Sequence, residues 1–448
     1  MGSLLTAIST AAESMRTVQR AIDITGNNVL NAKTPGFAKQ SLTLLPREMN
    51  IEGGLAGGLA AGPQISYRAQ SYETAVQGSA HQQGRYSSQT QLLSQLEPIF
   101  DISGATGIGA SIDKLFEGFS LLSVTPNDQP VRQDLLERAN DLANAFRYAS
   151  DGLGTTAASV DRRLSEVVAA VNRVGAEIQS YNQIVQADIS KANDSGLDAQ
   201  VHQQLEDLAQ YVDFDVLRRD DQSLQINVGG QVPLVIGSHL FELKTDVTGN
   251  LRDAQDNDIA GVIGGGQLRG VLDVRNNAIP ALRADLAQLA TSLATSVNDT
   301  LRNGLDRNGD PPTLDLFTVT DGELQVTAGF TADQLAAASA TAPGGNGNAL
   351  ELAALGTRKH ADLGNLTFSQ SYGYVAGKAG RWLNESRAQE STHASLLTQA
   401  QNLRADASGV SLDEEAANLI AFQRAYQATA ELIRVLNSLT ETTINIIR

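Results

Sequence analysis

At 448 residues the chain is long enough for two to four domains, and its 42% hydrophobic content indicates globular or helical structure. A net charge of −17 argues against a nucleic-acid-binding surface, and the absence of cysteine excludes disulfides and thiolate metal sites. No run of about twenty apolar residues is present, so the sequence predicts no membrane span. No basic region precedes an apolar run near the first residue, so we expect no cleaved secretion signal.

The first thirty residues carry a heptad stripe. Residues 4–30 are predicted to form one amphipathic helix, because apolar or small side chains recur at alternating steps of three and four. The stripe consists of Leu4, Ile8, Ala11, Met15, Val18, Ile22, Thr25 and Val29. Such a stripe needs a partner that buries it.

A turn motif ends this first helix. Asn27 and Asn28 weaken the helix, and Thr34-Pro35-Gly36 stops it, because proline disfavours helix at the preceding residue and glycine tolerates a positive φ. Phe37 follows the turn as a predicted anchor.

The middle of the chain alternates between helices and breaks. Residues 40–45 read as a strand, and the glycine-rich residues 50–66 as a linker or a β-excursion. Helices are predicted at 70–97, 111–124, 130–150, 157–192 and 198–212, with a break at Asp151 to Thr155. Their short connections are typical of a helical bundle.

The hydrophobic period changes after residue 212. Short strands are predicted at 213–218, 224–228, 232–236 and 239–243, which indicates an inserted β-domain over 213–263. Helix returns at about 271–303 and 368–404, and residues 314–341 are expected to add strands that complete the β region.

The last stretch, 408–448, carries the second heptad stripe. Ser411 and Glu414 are spaced for a capping box at the helix start. The negative charges of Asp413, Glu414 and Glu415 also interact favourably there with the helix dipole. The stripe consists of Leu419, Phe422, Tyr426, Thr429, Ile433, Leu436, Thr440, Thr443 and Ile447. We expect the two end helices to pair as a coiled coil; the alternative is two core helices of an ordinary globular domain.

Charge is spread unevenly along the chain. Residues 1–50 and 409–448 together contain eight basic and eight acidic side chains, so the whole net charge of −17 lies between them. Neutral ends can pack closely against copies of themselves, whereas an acidic middle suits a solvated outer surface.

No catalytic constellation is visible. The five histidines are scattered without metal-ligand spacing. Asp306 begins a stretch like a calcium loop, but Pro311 stands at the glycine position and Phe317 at the carboxylate position. We therefore predict no enzyme, no metal and no cofactor.

Both ends resemble one protein family. The segment from Asn27 to Phe37, NNVLNAKTPGF, resembles the "NNxxNxxTPGF/Y" signature of bacterial flagellar rod, hook and hook-associated proteins. The segment from Ser408 to Leu419, SGVSLDEEAANL, resembles the C-terminal signature of the same proteins, in the variant found in hook-associated junction proteins. The two end segments that carry these signatures, 1–50 and 409–448, make up about a fifth of the chain.

The resemblance implies a fold and a domain order. The fold is mainly α with inserted β: paired terminal helices, an elongated helical-bundle body and a small β-rich outer domain. The implied domains are 1–50 with 405–448 as an inner tube, 51–212 with 264–404 as the body, and 213–263 as the β-domain.

The resemblance also implies a function and partners. It implies a structural subunit of the bacterial flagellum that joins hook to filament and assembles through its terminal helices, after export by the flagellar type III system to the extracellular flagellum. The implied partners are the hook protein, the next junction protein, copies of itself and an export chaperone on the C-terminal helix. The interface residues are Leu4, Ile8, Met15, Val18, Ile22, Val29, Leu419, Phe422, Tyr426, Ile433, Leu436 and Ile447, with Asn27, Asn28, Pro35, Gly36 and Phe37 as a signature turn. The alternatives are a hook or distal-rod protein, or a surface protein that oligomerises through coiled-coil ends.

Overall fold

A computed structural model describes residues 2–50, 55–100 and 107–447 of the chain. Ten α-helices account for most of this part, so the prediction of a mainly α chain is confirmed. They are α1 (Gly2–Leu30), α2 (Gln70–Leu93), α3 (Ile108–Val124), α4 (Gln129–Ala187), α5 (Ser195–Tyr211), α6 (Gly266–Asp273), α7 (Ile279–Arg302), α8 (Gly347–Leu355), α9 (Phe368–Ser408) and α10 (Leu412–Ile447). Five π-helical residues, Val274–Ala278, join α6 to α7.

The predicted break at Asp151 to Thr155 is wrong, because α4 continues through it for 59 residues. Gly152 sits where a side chain would crowd Ile99, since an added Cβ would lie 3.0 Å from that side chain. The glycine therefore permits α4 to pack closely against Ile99. The next residue, Leu153, is fully buried in the core.

The strands form small separate sheets. Strands β1 (Gln40–Asn50) and β2 (Leu55–Ser66) pair as an antiparallel hairpin, so the described part of the predicted 50–66 stretch is a β-excursion; residues 51–54 lie outside the described residues. Four strands follow one another in an antiparallel sheet, close to the predicted positions: β3 (Phe214–Arg218), β4 (Leu224–Val228), β5 (Val232–Ile236) and β6 (His239–Leu240).

The later strands do not complete that sheet, contrary to expectation. They form two-stranded ribbons of their own, and none of these ribbons is hydrogen-bonded to the four-stranded sheet. The ribbons are β7 (Lys244–Thr245) with β8 (Leu251–Arg252), β9 (Gly304–Leu305) with β12 (Ala338–Ser339), and β10 (Phe317–Thr320) with β11 (Glu323–Val326).

The chain divides into two compact units. The first comprises Met1–His81, Val171–Glu242 and His393–Arg448, and the second comprises Gln82–Ala170 and Leu243–Thr392. The first unit holds the paired ends, the β1–β2 hairpin and the four-stranded sheet. The ribbon of β7 and β8, which lies inside the expected β-domain 213–263, belongs to the second unit.

Buried polar side chains fix the packing inside each unit. In the first, Asn182 of α4 donates from Nδ2 to the backbone oxygens of Leu224 and Gly237, at 2.7 and 2.8 Å, and so holds the sheet on the helix. In the second, Arg132 is 1% exposed and donates to the backbone oxygens of Pro126 and Leu335, both at 2.7 Å. Such buried donors are costly to leave unpaired, so they select one packing arrangement.

The stability of the first unit should fall as the pH falls below 6.5. His81 of α2 packs edge-on against Phe214, with ring centroids 5.4 Å apart, and its Nε2 has no hydrogen-bond partner. Burial lowers the pKa of His81 to about 4, although Asp213 and Asp215 act in the opposite direction. Histidine in the unfolded chain has a pKa of about 6.5. Between pH 6.5 and about 4 the imidazole of His81 is therefore protonated in the unfolded chain and neutral in the folded chain.

From pH 7 to pH 5 this single group should therefore cost about 2 kcal/mol of folding free energy. Chemical denaturation at both pH values should show that His81→Phe, which keeps a ring against Phe214, has a flatter pH dependence than wild type. The exposed His239→Phe serves as the control. A His81→Phe slope equal to that of the control would contradict the assignment.

Candidate assembly interface at the paired chain ends

The two end helices lie antiparallel, because the end of α1 meets the start of α10. Every α1 position of the predicted interface is partly or fully buried, as is every α10 position except Ile447, whose side chain lies outside the described residues. These positions are Leu4, Ile8, Met15, Val18, Ile22 and Val29 on α1, and Leu419, Phe422, Tyr426, Ile433 and Leu436 on α10. We call the two sets together the first seam.

The hairpin covers another face of α1. Ser14 Oγ accepts a hydrogen bond from the backbone nitrogen of Leu59 in β2, at 2.8 Å, and Arg47 of β1 forms an ion pair with Glu13. Helix α1 is thus packed on two sides, whereas α10 packs chiefly against α1.

The signature turn has the form that its sequence predicts. The backbone nitrogen of Phe37 donates to the oxygen of Thr34, at 3.2 Å, and Gly36 has φ of +72°. Proline second and glycine third are typical of a type II turn. Pro35 is exposed and Phe37 is partly buried, while Asn27 is exposed and accepts a hydrogen bond from the side chain of Asn31.

Asn28 connects three segments at the end of α1. Its Nδ2 donates to the backbone oxygen of Gln40, at 2.8 Å, and its Oδ1 accepts from the backbone nitrogen of the same residue, at 3.0 Å. Nδ2 also donates to Glu415 Oε2, at 2.8 Å. Asn28 and Glu415 are each 1% exposed, so one buried amide fastens α1, β1 and α10 together.

Lys39 adds charge to this contact. Its Nζ lies 2.8 Å from Glu414 and 3.2 Å from Glu415. Burial alone would lower the pKa of Lys39, but hydrogen bonds and attraction from the two carboxylates outweigh it, and the pKa is raised. We call Asn28, Lys39, Gln40, Glu414 and Glu415 the anchor cluster.

Glu414 therefore does not close the predicted capping box. Ser411 Oγ does accept from the backbone nitrogen of Glu414, at 3.4 Å, but the side chain of Glu414 turns to Lys39. The box is half formed because the lysine offers a charged partner.

A second set of ion pairs holds the turn. Arg68 donates to the backbone oxygen of Gly36, at 2.6 Å, and to the carboxylates of Glu73 and Asp198, at 2.6 and 2.8 Å. Burial of Asp198 would raise its pKa, but His202 and Arg68 together lower it below the usual value. Asp198 therefore stays ionised and holds Arg68 against the turn.

Gly36→Ala should destabilise the first unit by about 3 kcal/mol or more. An added Cβ would lie 2.3 Å from the backbone oxygen of Ala199, and alanine also disfavours the positive φ. Gly230→Ala is the matched control, because Gly230 also has φ of +72° but is exposed and meets only the end of the Asp215 side chain, at 3.0 Å. Denaturant titration should give about 1 kcal/mol for the control; equal losses would mean that close packing at Gly36 is unimportant.

Sequence reasoning missed the anchor cluster beyond Asn28. It assigned Glu415 to the dipole at the helix start, whereas the structure buries it. A signal was present, because Glu415 lies one turn before Leu419 and so continues the first seam. Lys39 carried no comparable signal.

The described residues offer no metal site, since none of their side chains form a group of three or more potential ligands. Asp306 instead makes a local turn, in which its Oδ1 accepts from the backbone nitrogens of Asn308 and Asp310, at 2.8 and 3.0 Å. Within the described ranges no helix is long and apolar enough to cross a membrane.

Comparison with known proteins decides the family. The sequence-family model for the helical domain of flagellar hook-associated protein FlgK matches residues 93–317, half of the chain. The chain belongs to the FlgK family. It is therefore a structural component of the bacterial flagellum associated with the hook, as the two signatures imply. The C-terminal model of flagellar basal body rod FlgEFG proteins matches residues 404–446.

Curated relatives match along nearly the whole chain. Flagellar hook-associated protein 1 of Bacillus subtilis is 25% identical over 99% of both chains. The protein of the same name from Escherichia coli is 21% identical over 98% of this chain and 99% of its own.

A solved structure shows the same fold. The flagellar hook junction protein FlgK from Burkholderia pseudomallei matches 75% of this chain and all of its own, with a TM-score of 0.64 and 15% identity.

Proposed function

We propose that this FlgK-family chain joins hook to filament, assembling in a helical or ring layer through its terminal helices. The observation that supports this most is the buried contact of Asn28 with Glu415, where the two family signatures meet. The signatures thus combine into one structure, the α1–α10 pair, rather than acting as two separate motifs.

The paired helices provide the assembly surface in this proposal. Copies pack side by side and remove apolar surface from water, worth roughly 25 cal/mol per Å². Because a tube needs contacts that do not close between two copies, each chain presents two different faces to its neighbours. The pair of 1–50 with 405–448 forms the inner tube, and the body and the β-domain 213–263 lie outside it.

The proposed partners follow from the place in the flagellum. They are the hook protein on one side, the next junction protein on the other, and further copies of this chain. The chain leaves the cell through the flagellar type III system, and an export chaperone holds α10 beforehand. Its final location is the extracellular flagellum, and no enzymatic role is proposed.

A hook or distal-rod protein is the second candidate. The match of residues 404–446 to basal body rod proteins supports this candidate, but it concerns only the C-terminal signature. The helical middle, matched over 93–317, favours the junction protein.

Electron microscopy of labelled flagella tests the proposal. An epitope placed in the exposed turn at Gly230 can be labelled with gold in isolated flagella. We expect one labelled position on each flagellum, where hook meets filament. Label along the hook or on the rod would favour the second candidate, and label on cells away from flagella would indicate an oligomeric surface protein.

Hydrogen exchange tests the chaperone proposal. In the free chain we expect α10 to exchange faster than the fully buried helices of the body, because its seam side chains are only partly buried. The chaperone should protect residues 409–448 and leave 1–50 unchanged. Equal protection of both ends without the chaperone would indicate ordinary core helices.

A further inference from the structure

Strand β3 is an edge strand of the four-stranded sheet. It pairs with β4 and, in the described part of the chain, with no other strand. At one end of this ladder the backbone nitrogen of Gly229 donates to the oxygen of Asp213, at 2.9 Å, and at the other end Arg219 donates to Ser223, also at 2.9 Å. Because backbone groups alternate in direction along an antiparallel strand, the odd-numbered residues of β3 direct these groups towards β4 and the even-numbered residues direct them away.

Two even-numbered residues leave this outer edge open. Among the described residues, none forms a hydrogen bond with the backbone groups that Val216 and Arg218 direct away from β4. Val216 is partly buried and Arg218 is exposed, so another strand can reach the edge at this point. An open edge of this kind is a template for pairing with a further strand.

The exposed face of the edge carries a symmetric set of side chains. Asp215, Leu217 and Arg219 lie at alternate positions, all three are exposed, and Leu217 is 55% accessible. Neither Asp215 nor Arg219 forms an ion pair within the described ranges. An unpaired negative side chain and an unpaired positive one therefore lie at equal distances along the strand on either side of an exposed leucine.

This arrangement is complementary to itself. If two copies of β3 pair antiparallel about Leu217, the two leucines face each other, and Asp215 of each copy faces Arg219 of the other. The same register places Val216 opposite Arg218, so their open backbone groups form hydrogen bonds between the copies. Apolar pairs and pairs of opposite charge directly across two strands stabilise a sheet.

Other registers lose the match. A shift by one residue would set open backbone groups against groups that already bond to β4. A shift by two residues would place Asp215 opposite Asp221 in one direction and opposite Leu217 in the other. Charged side chains on an edge usually prevent pairing with other chains. On β3 their order instead selects one antiparallel partner, a second copy of the same strand.

We propose that the edge of β3 binds β3 of a second copy, in a two-fold pair that forms between chains outside the assembled layer. A two-fold pair points its copies in opposite directions, so it is distinct from the repeated head-to-tail contact of a tube. The strand is only five residues long, and its contact is far smaller than the roughly 800 Å² that a stable pair buries on each partner. The pair is therefore weak and reversible, as a contact that must be given up on assembly needs to be.

Disulfide trapping of the purified full-length chain tests this pair, because the chain has no cysteine of its own. In the pair, Leu217→Cys places two thiols directly opposite each other, at a Cα separation that a disulfide can span. Val247→Cys is the control, since Val247 is fully exposed and its thiol meets other chains at least as freely. Under mild oxidation at equal concentration, we expect Leu217→Cys to form covalent dimers at least about tenfold faster than the control, because pairing raises the local thiol concentration.

Charge reversal tests the register. In the Leu217→Cys chain, Asp215→Arg sets two arginines opposite each other and should slow dimer formation to the rate of the control. Adding Arg219→Asp reverses the second charge and should restore the fast rate. Both positions are exposed, and circular dichroism should show that each variant remains folded.

The possible results separate clearly. Equal rates for Leu217→Cys and Val247→Cys would overturn the proposal. Fast dimer formation that ignores both charge changes would show that the chains meet in another way, and it would overturn the proposal as well. The proposed junction function does not depend on either result.

Discussion

Ile433→Asp should abolish assembly into flagella while the rest of the chain stays folded. Ile433 lies in the first seam, where it is partly buried against α1. A carboxylate there costs about 3 kcal/mol or more of pairing free energy, which corresponds to at least about a 100-fold weaker helix pair. Without the α1–α10 pair, the chain no longer presents the surface through which copies are proposed to assemble.

Two measurements separate assembly from folding for this variant. Gold labelling of isolated flagella should detect no variant chain, and thermal unfolding of the purified chain should give an unchanged midpoint for the second unit. Ser438→Asp, which introduces the same carboxylate at an exposed position five residues later, should assemble as wild type does. Loss of folding in both units of Ile433→Asp would contradict the separation of assembly from folding.

Asn28→Asp should release α10 from the rest of the first unit. The substitution removes the donor to Gln40 and places a carboxylate against Glu415, in a contact where both residues are 1% exposed. Breaking a buried polar contact so that two like charges face each other costs about 3–5 kcal/mol. Lys39 already forms ion pairs with Glu414 and Glu415, so it cannot also neutralise the new carboxylate at position 28.

Hydrogen exchange across α10 measures this release directly. Exchange over 412–447 should accelerate by two orders of magnitude or more, about 3 kcal/mol, while the core helices of the second unit remain protected. Asn27→Asp is the matched control, since Asn27 is adjacent and exposed, and aspartate keeps its acceptor for Asn31. If both variants behaved alike, the buried amide would not be what fastens α10.

The terminal helices could be predicted from the sequence because their pattern is local and long. Alternating steps of three and four over some thirty residues specify an amphipathic helix with one seam. The turn after α1 was predictable for the same reason, since Pro35 and Gly36 each restrict the backbone in a known way. The four strands from Phe214 to Leu240 followed from alternation and from the glycine turn at 229–230.

Other features depend on contacts that are distant in sequence. Gly152 reads locally as a helix breaker, and the distant side chain of Ile99 packed against it explains why a glycine stands inside the unbroken α4. From the sequence alone, Lys39 is expected to be a solvent-exposed lysine. In the fold, two carboxylates at the start of α10 lie beside it. The anchor cluster joins residues from both ends of the chain, so no local pattern contains it.

The contact between Asn28 and Glu415 spans 387 positions along the chain. Closing so long a loop in an unfolded chain is entropically costly, and contacts of this separation form late unless the intervening chain has already folded. The α1–α10 pair therefore forms fastest once the segments between the two helices are compact. If such a chain passed unfolded through a narrow export channel, its α1–α10 pair could form only after α10 had emerged, so formation of the pair would report that α10 has left the channel.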